Sequence, residues 1–260
     1  MLEKIPEAPV LDPKAQRVAD RKRWLGAFNL SLGSVLLLLV VHSLQGHVDL
    51  RGWMVQPWSV DGFWGVLGAP LLHASFEHLA ANAISLLMLG TLAGGMYPRA
   101  TLRALPLMWI GSGLGAWFLG DPGTHHLGAS GITHGLMFLV FVLGLLRRDR
   151  PAIAAAMIAF FLYGGMLLTI FPQEVGVSWQ AHMGGALGGV LAAVLWRRLD
   201  PRPARKKYSW ELEEELAAAL EAEPDPDGLE PPAPHDVPVL WQRPDEAEER
   251  GVVLPFRRRQ

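Results

Sequence analysis

Between Trp24 and Trp196 the chain carries almost no charge, and this feature limits most what it can fold into. The basic residues of that stretch are Arg51, Arg99, Arg103, Arg147, Arg148 and Arg150, whereas six of the 23 Lys and Arg precede it and 11 follow it. A soluble domain of such length needs charge over its surface, so the stretch is expected to lie in a membrane. The net charge of −2 argues against a nucleic-acid partner. With no Cys in the chain, disulfides, thiolate metal sites and a cysteine nucleophile are excluded.

The few charges divide the stretch into runs: Trp24–Val48, His78–Pro98, Ala104–Gly120, Pro122–Leu146, Pro151–Gln173 and Val175–Trp196. A membrane-crossing helix needs roughly 20 apolar residues, so each run can hold one, the third being the shortest. A further apolar run, Gly62–Phe76, is 15 residues long and contains Pro70. It suits an interfacial or partly inserted segment, with Trp53, Trp58, Phe63 and Trp64 at the headgroup level. The expected fold is all-α, a polytopic six-helix membrane bundle over residues 24–198 with a long first loop at 45–76. An arm (1–23) precedes it and a tail (199–260) follows.

Basic residues cluster in the arm, in the second and fourth loops and after the last run, which predicts cytoplasmic arm and tail. The long polar arm and the absence of a small-x-small site predict no cleaved signal peptide. In the tail, prolines at 201, 203, 224, 226, 231, 232 and 234 and acidic residues from Glu211 to Glu223 leave room for one short helix. That helix is expected at about Trp210–Ala222, followed by disorder. The closing Arg257, Arg258 and Arg259 are of a kind that touches anionic lipid.

Polar groups inside membrane helices are expensive and need a reason. His78 and Asn82 in the second helix, Ser130 at the start of the fourth and His182 in the sixth stand out. By the loop charges all three helices run outside to inside, so these groups share one depth near the outer surface. His78 and Asn82 are four apart and face one way. Gly128 and Gly131 remove bulk beside Ser130, and the pairs Gly131/Gly135 and Gly185/Gly189 permit close helix contact. Membrane histidines commonly just link helices, the glycine pairs are packing devices under any function, and Gly-x-Ser-Gly alone is a weak signal. The combination reads as a Ser-His dyad with His78, Asn82 and the Ser130 N–H as oxyanion donors. No aspartate lies at that depth to complete a triad.

These residues resemble the rhomboid family of intramembrane serine proteases over Leu25–Trp196. The resemblance is carried by His73, His78 and Asn82 (His-x4-His-x3-Asn), by Gly128-Ala129-Ser130-Gly131, and by Ala181-His182 with Gly185 and Gly189. It implies Ser130 as nucleophile, His182 as general base, His78 and Asn82 in an oxyanion hole, and His73 as structural. It further implies cleavage of transmembrane segments of single-span or polytopic membrane proteins, without cofactor or metal, in a bacterial inner membrane. The chain departs from the family in reading Arg51-Gly52-Trp53 in the first loop and Gly94-Gly95-Met96-Tyr97 at the end of the second helix. It also has His134 where an aromatic residue commonly packs on the catalytic histidine. Stacking is the expected role of His134, with charge tuning as the other, and His125 and His126 read as polar loop residues. Two other functions compete: a rhomboid-like pseudoenzyme that binds transmembrane segments, and a transporter or metal-handling protein using the nine His.

Overall fold

The structure is a computed structural model that describes residues 5–6, 12–172, 176–202 and 209–222. Helices dominate the described residues, which contain no sheet; Val55 and His126 form an isolated antiparallel bridge. Six long helices occupy the six charge-poor runs: α1 (Pro13–Gln45), α2 (Phe76–Met96), α3 (Pro98–Leu119), α4 (Ser130–Arg147), α5 (Arg150–Tyr163) and α6 (Trp179–Trp196). The segments Lys14–Gln45, Phe76–Met96, Pro98–Leu119, Ser130–Arg147 and Arg150–Leu167 are long and apolar enough to cross a membrane. Helix α6 has 18 residues, but Gln180, His182 and four glycines dilute its apolar character.

The helix boundaries follow caps rather than charges. Helix α1 begins inside the expected arm, where Asp12 Oδ2 accepts from the N–H groups of Lys14 and Ala15 at 3.2 and 3.4 Å. Pro13 occupies the first turn, where a missing N–H leaves no gap in the hydrogen bonding. Helix α3 starts at Pro98, directly after α2, and takes Arg99 and Arg103 into its first turns. Helix α4 starts later than its run, because residues 122–129 form a loop in which Gly123 and Gly128 have φ of +85° and +120°. The first loop contains 3₁₀ turns at Arg51–Trp53, Asp61–Trp64 and Ala69–Leu71 and one α-helical turn at Gly65–Gly68. It packs on α3, whose Trp109 and Trp117 indoles donate to Leu67 O and Ser59 O at 3.1 and 3.0 Å.

Glycines hold the bundle together. Helix α6 lies between α3 and α4 and presents glycine to both. On one face, a Cβ on Gly188 would come 2.6 Å from Leu107 O, and one on Gly111 would come 2.6 Å from Gly184 O. On the other face, a Cβ on Gly185 or Gly189 would run into the carbonyls of Gly131 and Gly135. Both sides of α6 thus touch backbone to backbone, the small-xxx-small contact that packs helices in lipid. Helix α1 meets α2 in the same manner, where a Cβ on Gly94 would come 3.0 Å from that of Ala27.

A buried polar knot closes the end of the bundle away from Ser130. Arg147, 3% exposed, donates from Nη1 to Arg197 O at 3.0 Å and Asp200 O at 2.7 Å. Its Nε pairs with Asp149 at 3.3 Å, and its guanidinium lies 5.4 Å from the Tyr97 ring centre. The Asp200 carboxylate caps the start of α3, accepting from Arg99 N at 3.0 Å and Ala100 N at 2.9 Å. Arg147 is paired with Asp149 and the Asp200 carboxylate is satisfied by backbone N–H groups, which is what makes such burial tolerable.

A separate unit begins at Arg205 and contains helix α7 (Ser209–Ala222), which matches the helix expected in the tail. Residues 1–4 and 7–11 of the expected arm lie outside the described residues. So do the expected disorder beyond 222 and the lipid-touching Arg257–Arg259.

Gly185→Ala should destabilise the protein by about 1–3 kcal/mol or more through overpacking. Gly33→Ala, in α1 with nothing within 4 Å of the new methyl, should not. Thermal unfolding of the two variants in detergent separates them, and equal midpoints would refute the packing account.

Candidate active site

The local sequence around Ser130 sets its surroundings. Gly128 has its bare side against the His78 ring, where a Cβ would lie 2.7 Å from Cε1. Its positive φ and this close approach both require glycine. Ala129 then donates its N–H to His73 Nε2 at 3.4 Å. His73 is itself held by a double clasp to the end of α1. Its N–H donates to Gln45 Oε1 at 3.0 Å, and its carbonyl accepts from Gln45 Nε2 at 3.1 Å. As first residue of α4, Ser130 has an N–H with no acceptor inside the helix.

Ser130 Oγ lies 2.9 Å from His182 Nε2. The other ring nitrogen, Nδ1, lies 3.0 Å from Thr169 O. A carbonyl only accepts, so Nδ1 of a neutral imidazole carries the hydrogen and Nε2 offers its lone pair to the serine hydroxyl. The Thr169 carbonyl therefore stands where an aspartate would stand in a triad. His134 stacks on His182, with ring centres 3.9 Å apart and planes 13° apart. Its Nδ1 lies 2.6 Å from Ser130 O, and its Nε2 lies 2.8 Å from Thr169 Oγ1.

These groups face a cavity of about 1040 Å³, which His78 and Asn82 also line. Asn82 Nδ2 donates to His78 O at 3.1 Å, leaving its second N–H for the cavity, and Ser75 Oγ caps α2 by accepting from His78 N at 3.2 Å. The structure thus brings Ser130, His182, His78, Asn82 and His134 around one space. His73, Gly128 and Gly131 stand behind it, and Gly185 and Gly189 bring α6 to α4. Asp121 and His125 are exposed in the loop before Ser130. His126 braces that loop, with Nδ1 2.7 Å from Ser178 Oγ, the cap of α6, and Nε2 3.0 Å from Thr124 Oγ1. Burial pushes the His126 imidazole below its ordinary pKa.

Sequence reasoning missed Thr169 and Ser178. Thr169 acts through a backbone carbonyl in an irregular segment, which has no side-chain signature. Ser178, just ahead of the α6 run, carried the ordinary N-cap signal and could have been found. Among the described residues, no three His, Cys, Asp or Glu side chains converge on a point that could hold a metal ion.

His73, 1% exposed, carries a pH prediction. Burial first, then the neighbouring His78, pushes its pKa from 6.5 down to about 4. Between those values the unfolded chain binds the proton and the folded one does not, so stability falls as pH drops through the window. Unfolding midpoints should decline from pH 6.5 to 4, and less steeply in His73→Gln. Equal slopes would remove His73 from the account.

Comparison with known proteins identifies the family of the chain. The Rhomboid domain family model matches residues 60–199, a span that contains every candidate residue above. An uncharacterized protein of Mycobacterium tuberculosis is 40% identical over 194 residues, covering 69% of this chain and 79% of its own. One of Mycobacterium leprae is 36% identical over 187 residues, covering 67% and 73%. A Bacillus subtilis protein named "Putative rhomboid protease YdcA" is 27% identical over 141 residues, covering 51% and 67%. The chain is an integral membrane protein and belongs to the rhomboid family.

Proposed function

We propose that the protein is an intramembrane serine endopeptidase that cleaves transmembrane segments of other membrane proteins. The observation that carries this reading is the 2.9 Å contact of Ser130 Oγ with His182 Nε2, whose other nitrogen is held by a carbonyl. In the proposed reaction Ser130 Oγ attacks the scissile carbonyl while His182 Nε2 takes its proton. The same nitrogen passes that proton to the leaving amine and then activates the water that releases the acyl group from Ser130. The oxyanion is met by the Ser130 N–H, by Asn82 Nδ2 and by the His78 ring. Both nitrogens of His182 and of His134 are engaged within the protein, which speaks against a metal-handling role.

The reading extends to topology. The six long helices are six spans, with a cytoplasmic arm (1–23), a membrane core (24–198) and a cytoplasmic tail (199–260), in a bacterial inner membrane. Arg99 and Arg103 in the first turns of α3, and Arg147, Arg148 and Arg150 around the turn from α4 to α5, support that orientation. It puts Ser130 near the outer surface, where water reaches the cavity. A substrate helix must unwind before its peptide bond can be attacked, and Gly, Pro or polar residues make that easiest. Cleavage is therefore proposed in the outer third of a single-span substrate, after a small side chain.

Ser130→Ala should abolish cleavage of a model transmembrane substrate in liposomes and labelling by a fluorophosphonate probe. His78→Ala and Asn82→Ala should each retain partial activity, since one oxyanion donor is typically worth about 10²–10³ in rate. Full cleavage by Ser130→Ala would end the proposal. Mass spectrometry of the products tests the site of cutting. Replacing the helix breakers of the substrate by Leu should slow cleavage severalfold, and a cut at the cytoplasmic end would contradict the topology.

A further inference from the structure

We propose that Thr169 is a positioning residue for the dyad, acting through His134: its hydroxyl fixes the ring that stacks on His182, while its carbonyl holds His182 itself. This deepens the protease reading and rests on it.

Four hydrogen bonds join Ser130, His182, Thr169 and His134 in a closed circuit. Ser130 Oγ–H donates to His182 Nε2, and His182 Nδ1–H donates to Thr169 O. The third and fourth bonds follow from donor and acceptor logic. Ser130 O only accepts, so His134 Nδ1 carries a hydrogen and, in the neutral ring, Nε2 needs a donor. The Thr169 hydroxyl, 2.8 Å away, is the donor in reach; its single hydrogen has Met166 O at 3.3 Å as the longer alternative acceptor. One residue in the irregular chain between α5 and α6 thus fixes the hydrogen position on His182 and anchors the far nitrogen of His134, whose own tautomer is set by Ser130 O. A ring stacked 3.9 Å from His182 has to be neutral for the base to accept a proton easily. Giving Nε2 a hydrogen to accept favours that neutral form. Removing the hydroxyl leaves a buried ring nitrogen unsatisfied and leaves His134 held only through Nδ1, free to tilt about that bond. The stack would then no longer hold His182 in line with Ser130 Oγ, and small misplacements of reacting groups are costly.

Thr169→Val keeps the branched shape and exchanges the hydroxyl for a methyl, whereas Thr169→Ser keeps the hydroxyl. In liposomes, Thr169→Val should lower kcat about tenfold with KM unchanged, and Thr169→Ser should stay within about twofold of wild type. In a His134→Phe background, which retains a planar ring but no Nε2, Thr169→Val should cause no further loss. A second measurement needs no variant: side-chain nitrogen NMR of histidine-labelled wild type should show His134 and His182 both protonated at Nδ1. Wild-type kcat in Thr169→Val, an undiminished effect in the His134→Phe background, or a His134 protonated at Nε2 would each overturn the proposal. If the wild type neither cleaves nor takes up a fluorophosphonate probe, the protease reading itself falls and this proposal falls with it. If it does both while Thr169→Val equals it, only the role of Thr169 is lost.

Discussion

Everything at the site depends on the bare backbone of α6. Without a hydrophobic drive between helices in lipid, close packing has to supply the attraction. Gly184 and Gly188 meet α3, and Gly185 and Gly189 meet α4 one residue further around the helix. Two adjacent glycine pairs thus let a single helix touch two neighbours at once. The approach on the α4 side carries His182 to the start of α4, where Ser130 stands. A methyl group at Gly185 would part these helices by more than the serine–histidine contact can stretch.

Around that approach the protein satisfies its polar atoms locally. The carbonyl of Thr169 takes the place that a carboxylate fills in a triad, and it holds the histidine without placing a charge at the centre of the bundle. A buried carboxylate would need its own partners, as Asp149 and Asp200 have in the knot around Arg147, at the other end of α4. Buried charge is thus held in the knot, while neutral donors and acceptors serve the serine and the two stacked imidazoles. His134 fits this division, because an uncharged imidazole stacks as an aromatic ring and can still be fastened at both nitrogens.

Much of this was legible in the residues. Charge-free runs locate six helices because a membrane penalises charge along a whole helix, and the four-residue step from His78 to Asn82 places both on one cavity wall. The spacing of Gly185 and Gly189 against Gly131 and Gly135 indicates which helices meet. The boundaries were less visible, since Asp12, Pro13 and the positive φ of Gly128 act locally, inside or outside the apolar run alike. The second glycine face of α6 went unread because Gly111 and Gly115 lie in the shortest run, where nothing polar drew notice. Thr169 was illegible because its part is played by a carbonyl, which every residue has.

The helix at the centre of this bundle is the last of the six to leave the ribosome. Helices α3 and α4 must therefore reach the membrane with a glycine-lined slot between them that nothing fills until α6 arrives. The chain then has to reach Asp200 before the start of α3 gains its cap, some hundred residues after Arg99 was made. Long-range closure of this kind comes late in folding. A chain cut short before α6 would hold Ser130 without the His182 ring that contacts it. Incomplete copies therefore lack the serine–histidine contact on which the proposed activity rests.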